Sequence, residues 1–267
     1  MNQNSQSLCY DDVLLVPKFS EIRSRSEIDI STELCDNIKL TLPIISSPMD
    51  TISETPMADS TGGAGGCAIV HRYNSIEEQY NIIKRSVSQN IGAAVGTTGE
   101  FLERAIAATE AGANIICIDV AHGHHILVKD ALHLLRKQFG DSVHIMAGNV
   151  ATLDGINDLS DWGADSVRCN IGGGSICSTR IQTGHGVPGL QTILDCAKTD
   201  RNVKIIADGG IKNSGDIVKA LAAGADAVML GSMLAGTIQT PGDIFKDNNG
   251  AKWKTYRGMA SKDAQIS

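Results

Sequence analysis

Short runs of β-branched and other aliphatic residues alternate along this chain with longer stretches whose apolar positions recur every three or four residues. The runs at 42–46, 67–71, 91–95, 115–120, 144–150, 166–171, 203–208 and 227–231 predict strands. The stretches at 75–86, 100–111, 125–139, 154–162, 190–198 and 214–223 predict helices; Ile126, Leu127, Leu132, Leu134 and Leu135 show the helical period. A small repeat punctuates the alternation. Ala111-Gly112-Ala113-Asn114, Trp162-Gly163-Ala164-Asp165 and Ala223-Gly224-Ala225-Asp226 each end a helix and open a strand. In each, Gly takes the left-handed position that closes the helix. Eight evenly spaced strands with crossover helices predict a (β/α)₈ TIM barrel, one domain over residues 1–267. An open doubly wound sheet would want its Gly-rich turn after the first strand. Gly62-Gly63-Ala64-Gly65-Gly66 instead precedes a strand, which disfavours that alternative.

Composition narrows the picture. With 2 Trp, 4 Tyr and 4 Phe in 267 residues the core must be aliphatic, and 28 Gly suit a turn-rich parallel fold. A formal charge of −7 with no basic stripe argues against nucleic acid as a partner. No apolar run approaches the ~20 residues of a membrane helix. The polar start of the chain does not resemble a signal peptide. Seven cysteines without a Cys-x-x-Cys pair fit a reducing compartment, the cytoplasm, better than a disulfide framework. Cys117 and Cys169, inside apolar runs, read as core residues.

In a barrel of this kind the functional groups follow the strands. Polar and Gly-rich clusters do so here: Ser46-Ser47-Pro48-Met49-Asp50, His71-Arg72, Asp119, Gly148-Asn149, Gly172 to Arg180, Asp208-Gly209-Gly210 and Gly231-Ser232. The loop after strand six is the most informative. Three consecutive glycines let backbone approach a ligand, and Ser175 and Cys177 then stand on a loop instead of in a core run. A thiol held there fits a nucleophile better than an incidental cysteine. The turns after strands seven and eight lie where such barrels bind phosphate, through N–H groups of Gly210, Gly231 and Ser232. Either motif alone could be only a tight turn; both at adjacent strands favour an anion. Asp208 would accept from a ribose diol, and Asp119 faces the mouth as a ligand contact. His122-Gly123-His124-His125 could suggest zinc but lacks partners beyond Asp119, so solvated imidazoles before a helix are the better reading.

These segments together resemble the IMP dehydrogenase/GMP reductase family. Gly172-Gly173-Gly174-Ser175-Ile176-Cys177-Ser178-Thr179-Arg180 looks like its cysteine loop. Asp11-Asp12-Val13-Leu14-Leu15-Val16-Pro17, Ser46-Ser47-Pro48-Met49-Asp50-Thr51, Ala147-Gly148-Asn149-Val150, Ala207-Asp208-Gly209-Gly210 and Tyr256-Arg257-Gly258-Met259 match in order. The resemblance implies a purine nucleotide, GMP or IMP, attacked at C2 by the Cys177 thiolate, with Thr179 assisting proton transfer. It implies that Ser175, Gly209, Gly210, Gly231, Ser232 and Tyr256 hold phosphate and Asp208 the ribose. Ser47, Met49, Gly258 and Met259 would line the nucleotide, and Asp119 and Asn149 would meet NADPH or NAD. Carbonyls of Gly172, Gly174 and Cys177 could hold a monovalent cation, K⁺. Arg180-Ile181-Gln182-Thr183-Gly184, Cys117-Ile118-Asp119-Val120-Ala121 and the direct passage from Ser75 to Ile91 without regulatory modules resemble the reductase. Tyr256-Arg257-Gly258-Met259 and His71-Arg72 with Ser75-Ile76-Glu77-Glu78-Gln79 resemble the dehydrogenase. The reductase is favoured, and a non-catalytic purine-nucleotide-binding barrel is the alternative of another class. Asn170 stands where the family usually has Gly, Gly173 where Pro or Ser is common, and Gly189 where Gln usually follows Val-Pro. Relative to the family, the last helix and C-terminal flap are expected to be missing; a homotetramer is expected when that tail is present.

Overall fold

The computed structural model describes residues 6–259; the polar start at 1–5 and the last positions, 260–267, lie outside them. Eight parallel strands close into a barrel: β1 Ile44–Ser46, β2 Cys67–Val70, β3 Ile91–Val95, β4 Ile115–Asp119, β5 His144–Val150, β6 Ser166–Cys169, β7 Lys204–Asp208 and β8 Ala227–Leu230. β8 closes on β1, with Val228 beside Ile44 and Leu230 beside Ser46. These are the strands that the apolar runs predict, most of them a residue or two shorter at one end, where the chain turns out of the sheet. The predicted helices are α2 Ile76–Arg85, α3 Phe101–Ala111, α4 Ile126–Phe139, α5 Leu153–Asp161, α7 Gly189–Cys196 and α8 Ser214–Ala222.

Two helices, α1 Thr55–Gly63 and the short α6 Thr179–Thr183, go beyond that prediction. α1 hides in its sequence because Gly62 and Gly63 occupy its last turn. Pro56 sits in the first turn, where a missing N–H costs nothing, and Met57, Ala58 and Thr61 are buried. The glycine cluster after it closes the helix by the same device as the threefold repeat. Gly65, Gly112, Gly163 and Gly224 all have φ between 95° and 118°. The next residue then donates its N–H back across the turn: Gly66 to Thr61 (2.9 Å), Ala113 to Ala108 (3.0 Å), Ala164 to Leu159 (2.9 Å) and Ala225 to Ala220 (3.1 Å). The polar residue ending each repeat also has a task. Asn114, Asp165 and Asp226 accept an N–H at the start of the neighbouring strand, from its first residue Ile91 and from the second residues Ile145 and Ile205, at 3.1, 2.7 and 2.8 Å.

A hairpin of Thr32–Cys35 and Ile38–Leu40, also not predicted, plugs the N-terminal end of the barrel. Its Leu34, Ile38 and Leu40 join the interior cluster of Ile45, Ile69, Ile115, Cys117, Met146 and Met229. After β8 the described chain runs through turns and a small hairpin, Phe245–Lys246 with Lys252–Trp253, and no helix follows β8 among the described residues. No helix among them is long and apolar enough to cross a membrane.

The two-residue period of the strands decides what reaches the barrel mouth. Ile45, Ile115 and Cys117, Ile206, and Ala227 and Met229 point inward. One step further along, the same parity aims Ser47, Asp119, Asp208 and Gly231 inward at the C-terminal end. In β6, Val167 and Cys169 face the helices, so Ser166 and Arg168 face the interior.

At the opposite end, buried His144 lies 2.8 Å from Ser166 Oγ through Nε2. Burial lowers its pKa from 6.5 to about 4. The unfolded chain therefore takes up this proton first as pH falls. Stability is retained above about 6.5, is lost as pH falls towards 4, and drops by roughly 2 kcal/mol between pH 7.5 and 5 from this group. Urea unfolding at the two pH values should show a smaller difference in His144→Asn; an equal difference would exclude the assignment.

Candidate active site

Two clusters meet at the mouth. The first forms around Gly231, whose missing side chain leaves room that a Cβ would close. Such an atom would lie 3.0 Å from Ser47 Oγ, 3.1 Å from the Tyr256 hydroxyl and 3.2 Å from Met49 Sδ. Ser47 is buried and its hydroxyl has no partner among the described residues, so a donor or acceptor is held ready for something else. Burial raises the pKa of Tyr256, outweighing the opposite effect of neighbouring Ser175 and keeping it a neutral phenol. Ser232 follows Gly231 and is exposed. The 256–259 segment is tied down by Arg257, which pairs with Asp50, and by Met259, whose Sδ accepts the Asp50 N–H at 3.3 Å. Gly258 sits against the cysteine loop; a Cβ there would come 3.1 Å from Ile176 O.

That loop packs on the turn after β7. Gly209 and Gly210 have φ of 83° and 77°, which favours glycine, and a Cβ on Gly209 would touch the backbone of Gly174 at 3.3 Å. The partly exposed Cys177 thiol lies 3.3 Å from Thr179 Oγ1, at the start of α6. The stem of Arg180 lies against Gly172 and Gly186. Gly174 O accepts the Cys177 N–H at 3.1 Å, so a cation at the carbonyls of Gly172, Gly174 and Cys177 would have to share that oxygen.

The second cluster is ionic. Buried Arg168 donates through Nη1 to Asp119 and through Nε and Nη2 to Asp208 Oδ2, at 3.1 and 2.8 Å. Burial opposes its charge, but the carboxylates of Asp208 and Asp119 outweigh that and hold its pKa well above the usual value. Asn149 Nδ2 donates to the same Asp208 oxygen (2.7 Å) and to Asn170 O (3.0 Å). The structure thus draws Asn149 towards Asp208, while Asp119 lies across Arg168. Sequence reasoning missed Arg168, although a charged residue inside an apolar strand run is a signal in itself. The histidines before α4 are separately engaged. His125 caps that helix through Leu127 N–H (3.1 Å), and His124 pairs with Asp158 at 2.7 Å.

Barrel and loop together define the class: a (β/α)₈ barrel whose cysteine loop packs on the glycine turn after β7, at the C-terminal mouth. Residues 7–267 match the family model for the IMP dehydrogenase / GMP reductase domain, and the chain belongs to that family of NAD(P)-dependent oxidoreductases. Inosine-5'-monophosphate dehydrogenase of Nitrosopumilus maritimus is 32% identical, over 98% of this chain and 81% of its own length. GMP reductase of Leishmania major is also 32% identical, over 98% and 81%. Among solved structures, inosine 5' monophosphate dehydrogenase from Legionella pneumophila is 48% identical with a TM-score of 0.90, covering 97% of this chain and 80% of that one.

Proposed function

We propose that this chain binds a purine nucleoside monophosphate across the barrel mouth and that the Cys177 thiolate attacks its C2. The observation that carries this reading is the convergence of Ser47, Met49 and Tyr256 on Gly231, beside a glycine-rich cysteine loop and with the buried Ser47 hydroxyl unpartnered. In this reading Ser175, Gly209, Gly210, Gly231, Ser232 and Tyr256 cradle the phosphate. Asp208, fixed by Arg168 and Asn149, accepts from the ribose hydroxyls. Ser47, Met49, Gly258 and Met259 line the base side, and Thr179 holds the proton that the thiol gives up. Asp119 is placed to orient a nicotinamide cofactor, with Asn149 nearby. When bound, that cofactor supplies or accepts the hydride at purine C2. Where the family's tail is present, four copies would assemble, covering the segment that exposes Leu14, Val16 and Phe19.

The reaction assigned is GMP with NADPH to IMP and ammonia. It is supported by Thr183-Gly184 after the cysteine loop and by the direct connection from α2 to β3. The 48% likeness to a dehydrogenase and the Tyr256-Arg257-Gly258-Met259 segment favour the second reading, IMP with NAD⁺ and water to XMP, NADH and a proton. Absorbance of the reduced cofactor separates them: it falls with GMP plus NADPH in the first and rises with IMP plus NAD⁺ in the second. Asp208→Ala and Ser232→Ala should each weaken GMP and IMP binding about ten- to a hundredfold, the usual cost of a charge-assisted hydrogen bond. Unchanged calorimetric affinities in both would remove the phosphate and ribose assignments.

A further inference from the structure

Asn170, which joins β6 to the cysteine loop, holds a backbone that its residue type rarely adopts. Its φ is 147°, and it is the one non-glycine residue with positive φ among the described residues. The residue is 4% exposed. Its side chain fills a space that three glycines leave open. A Cβ on Gly173 would fall 2.0 Å from Asn170 Nδ2, one on Gly189 3.2 Å from it and one on Gly210 3.9 Å, while the Tyr10 ring lies beside Gly189 and Gly210. Within this space Nδ2 donates to Gly209 O at 3.3 Å. The Asn170 backbone donates to Val150 O (2.8 Å) and accepts from Asn149 Nδ2, which also holds Asp208. The carboxamide therefore touches the cysteine loop and the turn after β7, while the Asn170 backbone carbonyl, through Asn149, reaches the proposed ribose acid.

We propose that Asn170 is a positioning residue: its carboxamide latches the cysteine loop to the Gly209-Gly210 turn and so sets where Cys177 stands relative to bound nucleotide. The proposal rests on the reading of Cys177 and the phosphate cradle given above. Two opposing effects of one side chain make it testable. Asparagine at φ 147° strains the backbone, so Asn170→Gly relieves strain, whereas Asn170→Ala keeps it. Both remove the latch. A merely structural residue would affect stability and loop behaviour together; a latch separates them.

The readout is the rate at which iodoacetamide modifies the Cys177 peptide, followed by mass spectrometry with and without IMP. This reports on Cys177 specifically, although Cys9 is also exposed. Both Asn170→Ala and Asn170→Gly should speed labelling of the free protein three- to tenfold and raise the IMP concentration for half-protection by a similar factor, as loss of one neutral hydrogen bond allows. Asn170→Gly should melt above Asn170→Ala. Gly173→Ala should disturb labelling strongly in the parent chain, because the Asn170 amide has nowhere to go, and little in Asn170→Gly, a coupling that a double-mutant cycle measures. Labelling within twofold of the parent in both Asn170 variants, or equal effects of Gly173→Ala in both backgrounds, would overturn the latch. Absence of IMP protection in the parent chain would instead overturn the nucleotide reading, and nucleotide-free labelling and the cycle would still decide the latch.

Discussion

Cys177→Ala is expected to abolish turnover in either direction while leaving affinity for GMP and IMP within a few-fold of the parent. The contacts proposed for phosphate and ribose come from Ser175, the end of β7 and the turn after it, the turn after β8 and Tyr256, none of which uses the sulfur itself. Only the covalent step needs the sulfur. Rate loss should therefore appear in kcat, with calorimetric Kd nearly unchanged. A variant that turns over normally would show that Cys177 is not the nucleophile. A variant that no longer binds nucleotide would show that the thiol serves the fold of the loop.

Arg168→Leu is expected to produce the largest loss of stability of any single substitution at the mouth. The guanidinium is shared between Asp119 and Asp208, both largely buried. Removing one partner of a buried ionic group typically costs about 3–5 kcal/mol, because the remaining charges are left without compensation. Here two carboxylates face each other across the vacancy, so the cost should sit at the upper end of that range. Arg168→Lys should recover part of it, since an ammonium lacks the planar fork that serves both acids at once. Urea denaturation of the three forms at pH 7.5 checks this. A loss below about 1 kcal/mol in Arg168→Leu would mean that the pair is not the buried unit described.

The barrel was legible because its strands are buried on both faces, so each declares itself as an unbroken aliphatic run, and because one helix-closing repeat recurs three times. α1 was not legible. Its amphipathic signal is weak, its last turn is glycine, and tertiary packing of Met57, Ala58 and Thr61 supplies what local propensity withholds. The plugging hairpin at residues 32–40 was missed for a similar reason: only the barrel interior gives Leu34, Ile38 and Leu40 a common place to go. At the site, Ser47, Asp119, Asp208 and Gly231 were found by the rule that ligands gather after barrel strands. Arg168 escaped because it lies within a strand, yet counting the two-residue period inward from Ile206 and Cys117 would have aimed the neighbouring strand's Arg168 at the same mouth. Gly173 and Gly189, unrelated oddities in the sequence, both prove to border the side chain of a third, Asn170. Linear separation conceals that a larger side chain at one position occupies the space left at the other two.

The most direct test of the central claim is the fate of the nucleotide during turnover. The chain is incubated with radiolabelled GMP plus NADPH, and separately with radiolabelled IMP plus NAD⁺, quenched in acid, digested and mapped by mass spectrometry. In whichever direction the reduced-cofactor signal changes, purine label should remain on the peptide carrying Cys177, and Cys177→Ala should retain none. Turnover accompanied by label on another residue, or sustained without any covalent label and undiminished in Cys177→Ala, would contradict the account.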